Sequence, residues 1–319
     1  MKFLCVGQAI CDLYLHPVTP AVFERHDNPL DGIPVYGGGD ANNASIDLKR
    51  IGGEVALATS LGADTFGHQV LKLLQQEGVD TRFVSRRADL PTSVHVIMLS
   101  GDENLRGNAY LKGTGQAVER KDIPDEAIEW ADHVHCVSVL SQPLLDGEGV
   151  ASILKYAKSL GKTTSMDLQL DSGLWTPEEC LEKVAQALPY CDVFLPSIDE
   201  AKVVAGTDDP IALKEFFGKY GIKIFGVKLG SKGAFITDYK EDIWQEPLYR
   251  GAPVDTLGCG DAFCSGFIAG YTRGLSLRGC GLMASAAAAK ICGSIGCSDG
   301  MTSYDELVAH VHDYGYEVK

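Results

Sequence analysis

The sequence predicts an α/β fold: a three-layer α/β/α sandwich with a largely parallel central sheet and a small β-rich lid. Short apolar runs that suit buried strands alternate with helical patterns along most of the chain. Parallel strands need crossover helices, so this alternation favours a sheet covered on both faces. Two polar, strand-rich segments, 13–36 and 90–113, lack a crossover helix, and we expect them to form the lid. No linker or repeat interrupts the chain, which predicts one domain over 1–319.

The individual elements follow from apolar runs and from helix punctuation. The helix at 66–76 is ended by Gly78, the helix at 149–160 is stopped by Gly161, and Pro177 begins the helix at 177–188. The remaining predicted helices are 41–51, 260–271 and 277–292. The predicted strands are 2–6, 55–61, 94–99, 108–111, 134–140, 163–167, 193–196, 222–228, 233–238 and 243–245.

Charge and composition exclude several classes of protein. Lys and Arg number 28 against 43 Asp and Glu, a formal net charge of −15 at pH 7. A nucleic-acid footprint needs the opposite sign, so no nucleic-acid partner is expected. No apolar run approaches ~20 residues, so no membrane span is expected. The N-terminal apolar run is too short for a signal peptide, which favours a cytoplasmic protein. The ten cysteines are expected to be reduced and packed as small hydrophobic residues.

A glycine-rich segment, VDTLGCGDAF at 254–263, precedes the predicted helix 260–271. Gly258 and Gly260 bracket Cys259, and such small residues let backbone N–H groups converge on an anion at a helix N-terminus. Asp261 falls in the first helical turn, where a carboxylate could accept the proton of an attacking hydroxyl. Taken alone, the pattern favours the simpler interpretation that Asp261 stabilises the helix terminus.

A second glycine-rich segment, GGGDANNA at 37–44, lies far away in sequence. Gly37 and Gly38 permit close backbone approach to a ligand, and Asn42 can donate to and accept from hydroxyl groups. Taken alone, the segment favours a loop in which Asp40 is a helix N-cap. Asp12 lies just beyond the first predicted strand, where ligands bind in such sheets.

These two segments resemble the signatures of the ribokinase-like carbohydrate kinases, the PfkB family. The first is similar to Asp-Thr-x-Gly-Ala-Gly-Asp-x-Phe, with Cys259 in place of the usual Ala; the second is similar to Gly-Gly-x-x-x-Asn-x-Ala. The similarity runs from residue 2 to about residue 300. It implies an ATP-dependent kinase for a sugar or sugar-like hydroxyl, with Asp261 as catalytic base. It also implies an anion hole made by Gly258, Cys259 and Gly260, and a sugar site made by Asp12, Gly37, Gly38 and Asn42.

The resemblance extends to the nucleotide half and implies ATP and Mg²⁺ as cofactors. Lys228, Gly230 and Gly233 match the strand and turn that approach ATP, although position 228 is often Thr or Ser in the family. Lys228 could meet a phosphate or be a solvated strand end, and both interpretations stay open. Glu200 matches the acidic residue that helps to place Mg²⁺ through water, with Ser197 where Asn is usual. Asp255 is the candidate ligand for a K⁺ ion.

The substrate stays open among three kinds of kinase. A nucleoside kinase needs an aromatic pocket, for which the lid offers Tyr14, Phe23, Tyr36 and Tyr110. A sugar phosphate kinase needs a cationic clamp, with candidates Arg25, Arg82, Arg86, Arg87, Arg106 and Lys112. A non-catalytic sugar or nucleotide sensor is the alternative from another class, and the intact Asp261 argues against it. The expected partner is a small sugar-like molecule, with a homodimer through the lid.

Overall fold

The computed structural model describes residues 1–100, 106–171 and 173–319. The strands within these ranges are β1 Lys2–Val6, β2 Ile10–Leu15, β3 Val35–Gly38, β4 Glu54–Gly62, β5 Val84–Arg87, β6 Val94–Leu99, β7 Arg106–Leu111, β8 His133–Val139, β9 Thr163–Leu168, β10 Val193–Phe194, β11 Ile224–Lys228, β12 Ala234–Thr237 and β13 Asp242–Gln245. The α-helices are α1 Asp40–Arg50, α2 Thr65–Gln76, α3 Asp125–Trp130, α4 Glu148–Ser159, α5 Pro177–Ala187, α6 Ile198–Ala205, α7 Pro210–Gly218, α8 Cys259–Tyr271, α9 Leu277–Cys292 and α10 Tyr304–Asp313.

The central sheet has the order β13-β12-β11-β10-β9-β8-β1-β4-β5 among the described strands. Its pairs are parallel from β5 to β11, and only the β11–β12 and β12–β13 pairs are antiparallel. The predicted α/β fold with a largely parallel sheet is confirmed. The antiparallel edge is formed by the predicted strands 233–238 and 243–245 together with β11.

Helices cover both faces of this sheet because its strands are apolar on both sides. Alternate residues of a strand point to opposite faces. In β1, Leu4 and Val6 join one buried core, which also contains residues of α3 to α7. Phe3 and Cys5 join a second core, with residues of α1, α2, α8, α9 and α10. The two cores define the three layers, and the carboxyl ends of the central strands open towards α8.

A second sheet of order β3-β2-β6-β7, here called the lid sheet, is formed by residues 10–15, 35–38, 94–99 and 106–111. It begins earlier than the predicted lid, because β2 starts at Ile10, only four residues after β1 ends. Tyr36, Asp12, His95 and Tyr110 pair in register across its four strands. Part of the predicted lid, residues 101–105, lies outside the described residues. The predicted homodimer through this sheet stays a prediction.

Several short elements were not predicted from the sequence. The helices α3, α6, α7 and α10 and the strand β5 are six, eight, nine, ten and four residues long. Segments of this length carry too few periods for a clear apolar pattern. Among the described residues, no helix combines the length and the apolar character that crossing a membrane requires.

Candidate active site

The N-terminus of α8 opens into a cleft of about 220 Å³. Gly258 caps the helix with φ 76°, and a Cβ at that position would lie 2.1 Å from the carbonyl oxygen of Cys297. Only glycine fits there, for both reasons. The amide of Cys259 donates to the Thr256 carbonyl at 3.3 Å, and the first turn of α8 lines a concave space, as an anion site requires. The lining residues are Asp40, Asp167, Leu168, Gln169, Ser197, Glu200, Lys228, Gly258, Gly260 and Asp261.

Asp261 is the carboxylate of the first turn of α8. Its Oδ2 accepts a hydrogen bond of 2.8 Å from Asn43 Nδ2, a residue of α1. Burial raises the pKa of Asp261 to about 7, and nearby Asp167 adds to the rise, against the opposing effects of Asn43 and Lys228. A carboxylate that titrates near neutrality is suited to accept a proton in a reaction and to release it afterwards.

Asp40 is a second carboxylate in this cleft, and its expected role as a helix N-cap is wrong. Gly39 occupies the N-cap with φ 87°, and Asp40 is the first residue of α1. Its Oδ2 accepts a hydrogen bond of 2.9 Å from Ser138 Oγ. With its amide oriented to donate, Gln169 lies 2.5 and 2.8 Å from the two carboxylate oxygens. Burial raises the pKa of Asp40 well above its ordinary value, and the charge of Asp261 raises it further.

Ser138 holds its hydroxyl towards Asp40 from an unusual backbone conformation. Its φ is 58° and that of Leu140 is 81°, in the left-handed region that side chains other than glycine rarely adopt. Such strain persists where the surrounding structure imposes it, often beside functional sites. Here the end of β8 directs a hydroxyl to Asp40, which lines the cleft.

Lys228 forms a buried ion pair with Asp167 at the floor of the same cleft. Its side chain is 13% exposed and that of Asp167 is 6% exposed, so the interpretation as a solvated strand end is wrong. Burial alone would lower the pKa of the Lys228 ammonium, but Asp167, Cys264 and Glu200 together raise it. A Cβ on Gly260 would lie 3.5 Å from Lys228 Nζ, which puts this cation beside the first turn of α8.

Of the two residues expected to serve metal ions, Glu200 lines the cleft and Asp255 does not. Glu200 lines it from the first turn of α6. Its Oε2 accepts a hydrogen bond of 2.8 Å from the Ser197 amide, as part of a capping box. Burial and then Asp167 raise the pKa of Glu200. Asp255 accepts a hydrogen bond of 3.1 Å from the Leu257 amide and does not line the cleft. Within the described ranges, no cluster of three or more acidic, His or Cys side chains could enclose a metal directly.

A second cleft of about 250 Å³ adjoins the first beneath the lid sheet. Gln169 lines both clefts and so marks their junction. The other lining residues are Gln8, Ile10, Ser93, Val94, His95, Tyr110, Leu111, Lys112, Gln116, Ser141, Leu170 and Asp171. Asp171 engages both Lys112, at 3.2 Å, and Gln116, at 2.5 Å. The wall thus mixes polar and apolar side chains, and Asp171 neutralises the charge of Lys112.

The four residues predicted to bind the sugar form a layer next to these clefts and do not line either one. Asp12 is 3% exposed, and its Oδ1 lies 3.7 Å from Nδ1 of His95, which does line the larger cleft. A Cβ on Gly38 would lie 2.1 Å from Asp12 Oδ2, and one on Gly37 would lie 2.7 Å from Asn42 Oδ1. The glycines are thus required by the two polar side chains as well as by any ligand.

A family model for pfkB family carbohydrate kinases matches residues 2–303. The chain belongs to the PfkB family of carbohydrate kinases. It is 25% identical over 277 residues to a 2-dehydro-3-deoxygluconokinase of Bacillus subtilis, with 85% of each chain covered. It is 26% identical over 323 residues to a nucleoside kinase of Methanothermobacter thermautotrophicus, with 98% of this chain and 97% of that one covered. An E. coli protein solved in complex with ATP and Mg²⁺ has the same fold, with TM-score 0.83, 20% identity and coverage of 98% and 99%.

In this PfkB chain the smaller cleft brings together residues from five parts of the sequence. Gly258, Gly260 and Asp261 meet Glu200 and Lys228 in one cleft, whereas Gly230 and Gly233 lie in the turn after β11, outside both clefts. Sequence reasoning missed Asn43 and the position of Asp40 in this cleft. Asn43 follows Asn42 directly in sequence. Neighbouring residues of an α-helix point in different directions, so the sequence could have indicated that the two amides serve different sites.

Proposed function

We propose that this enzyme transfers the γ-phosphoryl group of ATP to a hydroxyl of an uncharged sugar or sugar-like polyol, with Asp261 as the general base. The observation that carries the proposal is the position of Asp261. It combines a pKa of about 7 with a place at the N-terminal end of α8, in a cleft that adjoins a second cleft lined in part by polar side chains. The hydroxyl would approach from the second cleft and give its proton to Asp261 as the phosphorus–oxygen bond forms.

The charge of the transferring phosphoryl group would be met by the amides of Gly258, Cys259 and Gly260 and by Lys228. The Lys228 ammonium would shift from Asp167 towards the phosphate. The shift would be short, because Lys228 already lies beside Gly260. Fixed donors of this kind stabilise charge that develops in the transition state. The turn that contains Gly230 and Gly233 would lie along the nucleotide.

The oxygen donors of the cleft suit Mg²⁺, which favours carboxylates, phosphates and several retained waters. Glu200 and Asp167 would hold the ion, through water or with the triphosphate, and the ion would neutralise phosphate charge. Asp255 is the proposed ligand of a K⁺ ion near the anion hole. These carboxylates also explain why the nucleotide half needs a cation at all, since they would otherwise repel ATP.

An uncharged substrate is supported by the second cleft. Lys112 is the one Lys or Arg among its described lining residues, and Asp171 already neutralises it. Three candidate arginines have other contacts: Arg82 pairs with Asp80, Arg86 donates to a backbone carbonyl at residue 62, and Arg87 pairs with an exposed aspartate. Arg25 does not line the second cleft. The side chain of Arg106 lies outside the described residues. This arrangement disfavours a substrate that carries a phosphate.

A nucleoside substrate is the second candidate, and one aromatic residue favours it. Tyr110 lines the second cleft and is 61% exposed, so a base could stack on it. Tyr14 and Tyr36 instead pack on each other with ring centroids 5.2 Å apart. Phe23 is 94% exposed and does not line the cleft.

The test is ADP release with MgATP across ketoses, aldoses, sugar acids, nucleosides and sugar phosphates, each run with the wild-type chain and with Asp261→Asn. We expect turnover on an uncharged polyol and near-complete loss in the variant, with ATP binding retained. Strong turnover on sugar phosphates alone would contradict the substrate class. Near-normal turnover in Asp261→Asn would contradict the mechanism.

A further inference from the structure

Three partly exposed thiols surround the N-terminus of α8. Seven of the ten cysteines are buried, and the remaining three are Cys259, Cys292 and Cys297. Cys259 is the first residue of α8, between the two anion-hole glycines, and Cys292 is the last residue of α9. Their Sγ atoms lie 3.0 Å apart. Cys297 contributes its backbone, which packs against Gly258.

We infer that Cys259 and Cys292 form an oxidative modification site, at which a hydroperoxide joins them in a disulfide that distorts the anion hole. A disulfide bond is about 2.05 Å long, so the sulfurs need approach by only about 1 Å. Both residues are partly exposed, unlike the seven buried cysteines. The inference about activity rests on the proposed function, whereas formation of the bond does not.

The chemistry proceeds in two balanced steps. The sulfur of Cys292 attacks the hydroperoxide and becomes a sulfenic acid as the O–O bond breaks, and an alcohol or water leaves. The Cys259 sulfur then displaces hydroxide from the Cys292 sulfenic acid, and its thiol proton leaves with the hydroxide as water. Burial and the hydrogen bond to Cys292 raise the pKa of Cys259, which keeps this thiol protonated.

A 259–292 disulfide would disturb the anion hole, because Gly258 cannot move together with Cys259. Gly258 is lodged against the Cys297 carbonyl, and the amide of Val254 is tied to the Cys292 carbonyl at 2.8 Å. Drawing the sulfur of Cys259 towards α9 therefore shifts the amides of the first turn relative to a fixed Gly258. A misplacement of about 1 Å in a catalytic group can cost on the order of 10²-fold in rate.

The experiment treats the full chain with hydrogen peroxide, alkylates the remaining thiols, and maps disulfides in a non-reducing digest. We expect a 259–292 linkage, a loss of turnover on the order of 10²-fold, and recovery of both after reduction by dithiothreitol. Cys292→Ala should keep its basal activity and resist peroxide. Cys297→Ala, the neighbouring half-buried thiol, is the matched control and should stay sensitive.

Two outcomes overturn the inference: sulfinic or sulfonic acids with no 259–292 linkage, or a mapped linkage that leaves turnover and ATP-dependent melting unchanged. Because the linkage is read by mass and ATP binding by melting, these outcomes can be distinguished from failure of the proposed reaction. If no hydroxyl substrate is found, a linkage that removes the ATP-dependent melting shift still supports distortion of the anion hole.

Discussion

Replacing Asp261 by Asn should remove turnover and at the same time stabilise the folded chain. The amide is nearly isosteric with the carboxylate, and its oxygen can still accept from Asn43 Nδ2. Turnover falls because the amide accepts no proton, which costs on the order of 10²–10⁴-fold. Stability rises because the folded chain no longer holds an ionised carboxylate in a buried position.

The size of the stabilisation follows from the pKa of Asp261. The pKa is 3.8 in an ordinary environment and about 7 in the fold. Between these values the folded chain binds the proton more tightly than the unfolded chain, so wild-type stability falls as pH rises through this window. Above pH 7 the full difference would be about 4 kcal/mol, at 1.36 kcal/mol per pKa unit. Because the side chain keeps some solvent contact, we expect about 1–2 kcal/mol of this in the variant.

Urea unfolding at pH 8 and at pH 4 tests the sign of the change in the free energy of unfolding. Asp261→Asn should be more stable than wild type at pH 8, with little difference at pH 4. Asp199→Asn is the matched control, the same change in the first turn of α6 on an exposed residue, and it should show no such gain. In wild type, kcat/KM should rise as pH increases through about 7. A variant less stable than wild type at pH 8, or a pH-independent rate, would refute the reasoning.

Three further changes test the rest of the site. Lys228→Met should reduce kcat at least about 100-fold and destabilise the fold by about 3–5 kcal/mol in urea, because it leaves Asp167 as an unpaired buried charge. Adding Asp167→Asn should restore stability but not kcat, and a single variant of unchanged stability would contradict the buried pair. Gly38→Ala should raise the KM for the sugar about 10-fold, because the new Cβ would lie 2.1 Å from Asp12 Oδ2 and would push that carboxylate aside. Gly32→Ala, whose nearest neighbour lies at 3.9 Å, should leave the KM unchanged. Gln169→Leu should raise the KM for the sugar about 10-fold with ATP-dependent melting unchanged, and an equal loss of ATP binding would argue against its place at the junction.

The parts of the fold with long apolar periods could be predicted from the sequence, and so could the two glycine-rich segments. Residues 254–263 form the entry to α8, with Asp261 in its first turn, because the glycines and the carboxylate are local in sequence. The short helices α3 and α6 could not be predicted, since each has two turns or fewer and is held by tertiary packing.

The chemistry of individual charged residues could not be predicted where their partners are distant. Lys228 could be solvated or buried until Asp167, 61 residues away in sequence, is seen beside it. Asp40 has the sequence context of an N-cap, but Ser138, 98 residues away, turns its carboxylate into the cleft. Local propensity predicts the helix terminus correctly, but it does not predict which distant partner a side chain at that terminus will bond.

The excess of carboxylates in the catalytic cleft has a consequence for the order of binding. Four acidic side chains face one lysine, which is already paired. An uncomplexed triphosphate entering this space brings further negative charge against them, so its approach is opposed by the field of the cleft. Metal chelation in solution removes much of that charge before entry. The nucleotide that productively docks is then the chelate, and an excess of free ATP over Mg²⁺ should compete poorly for the site.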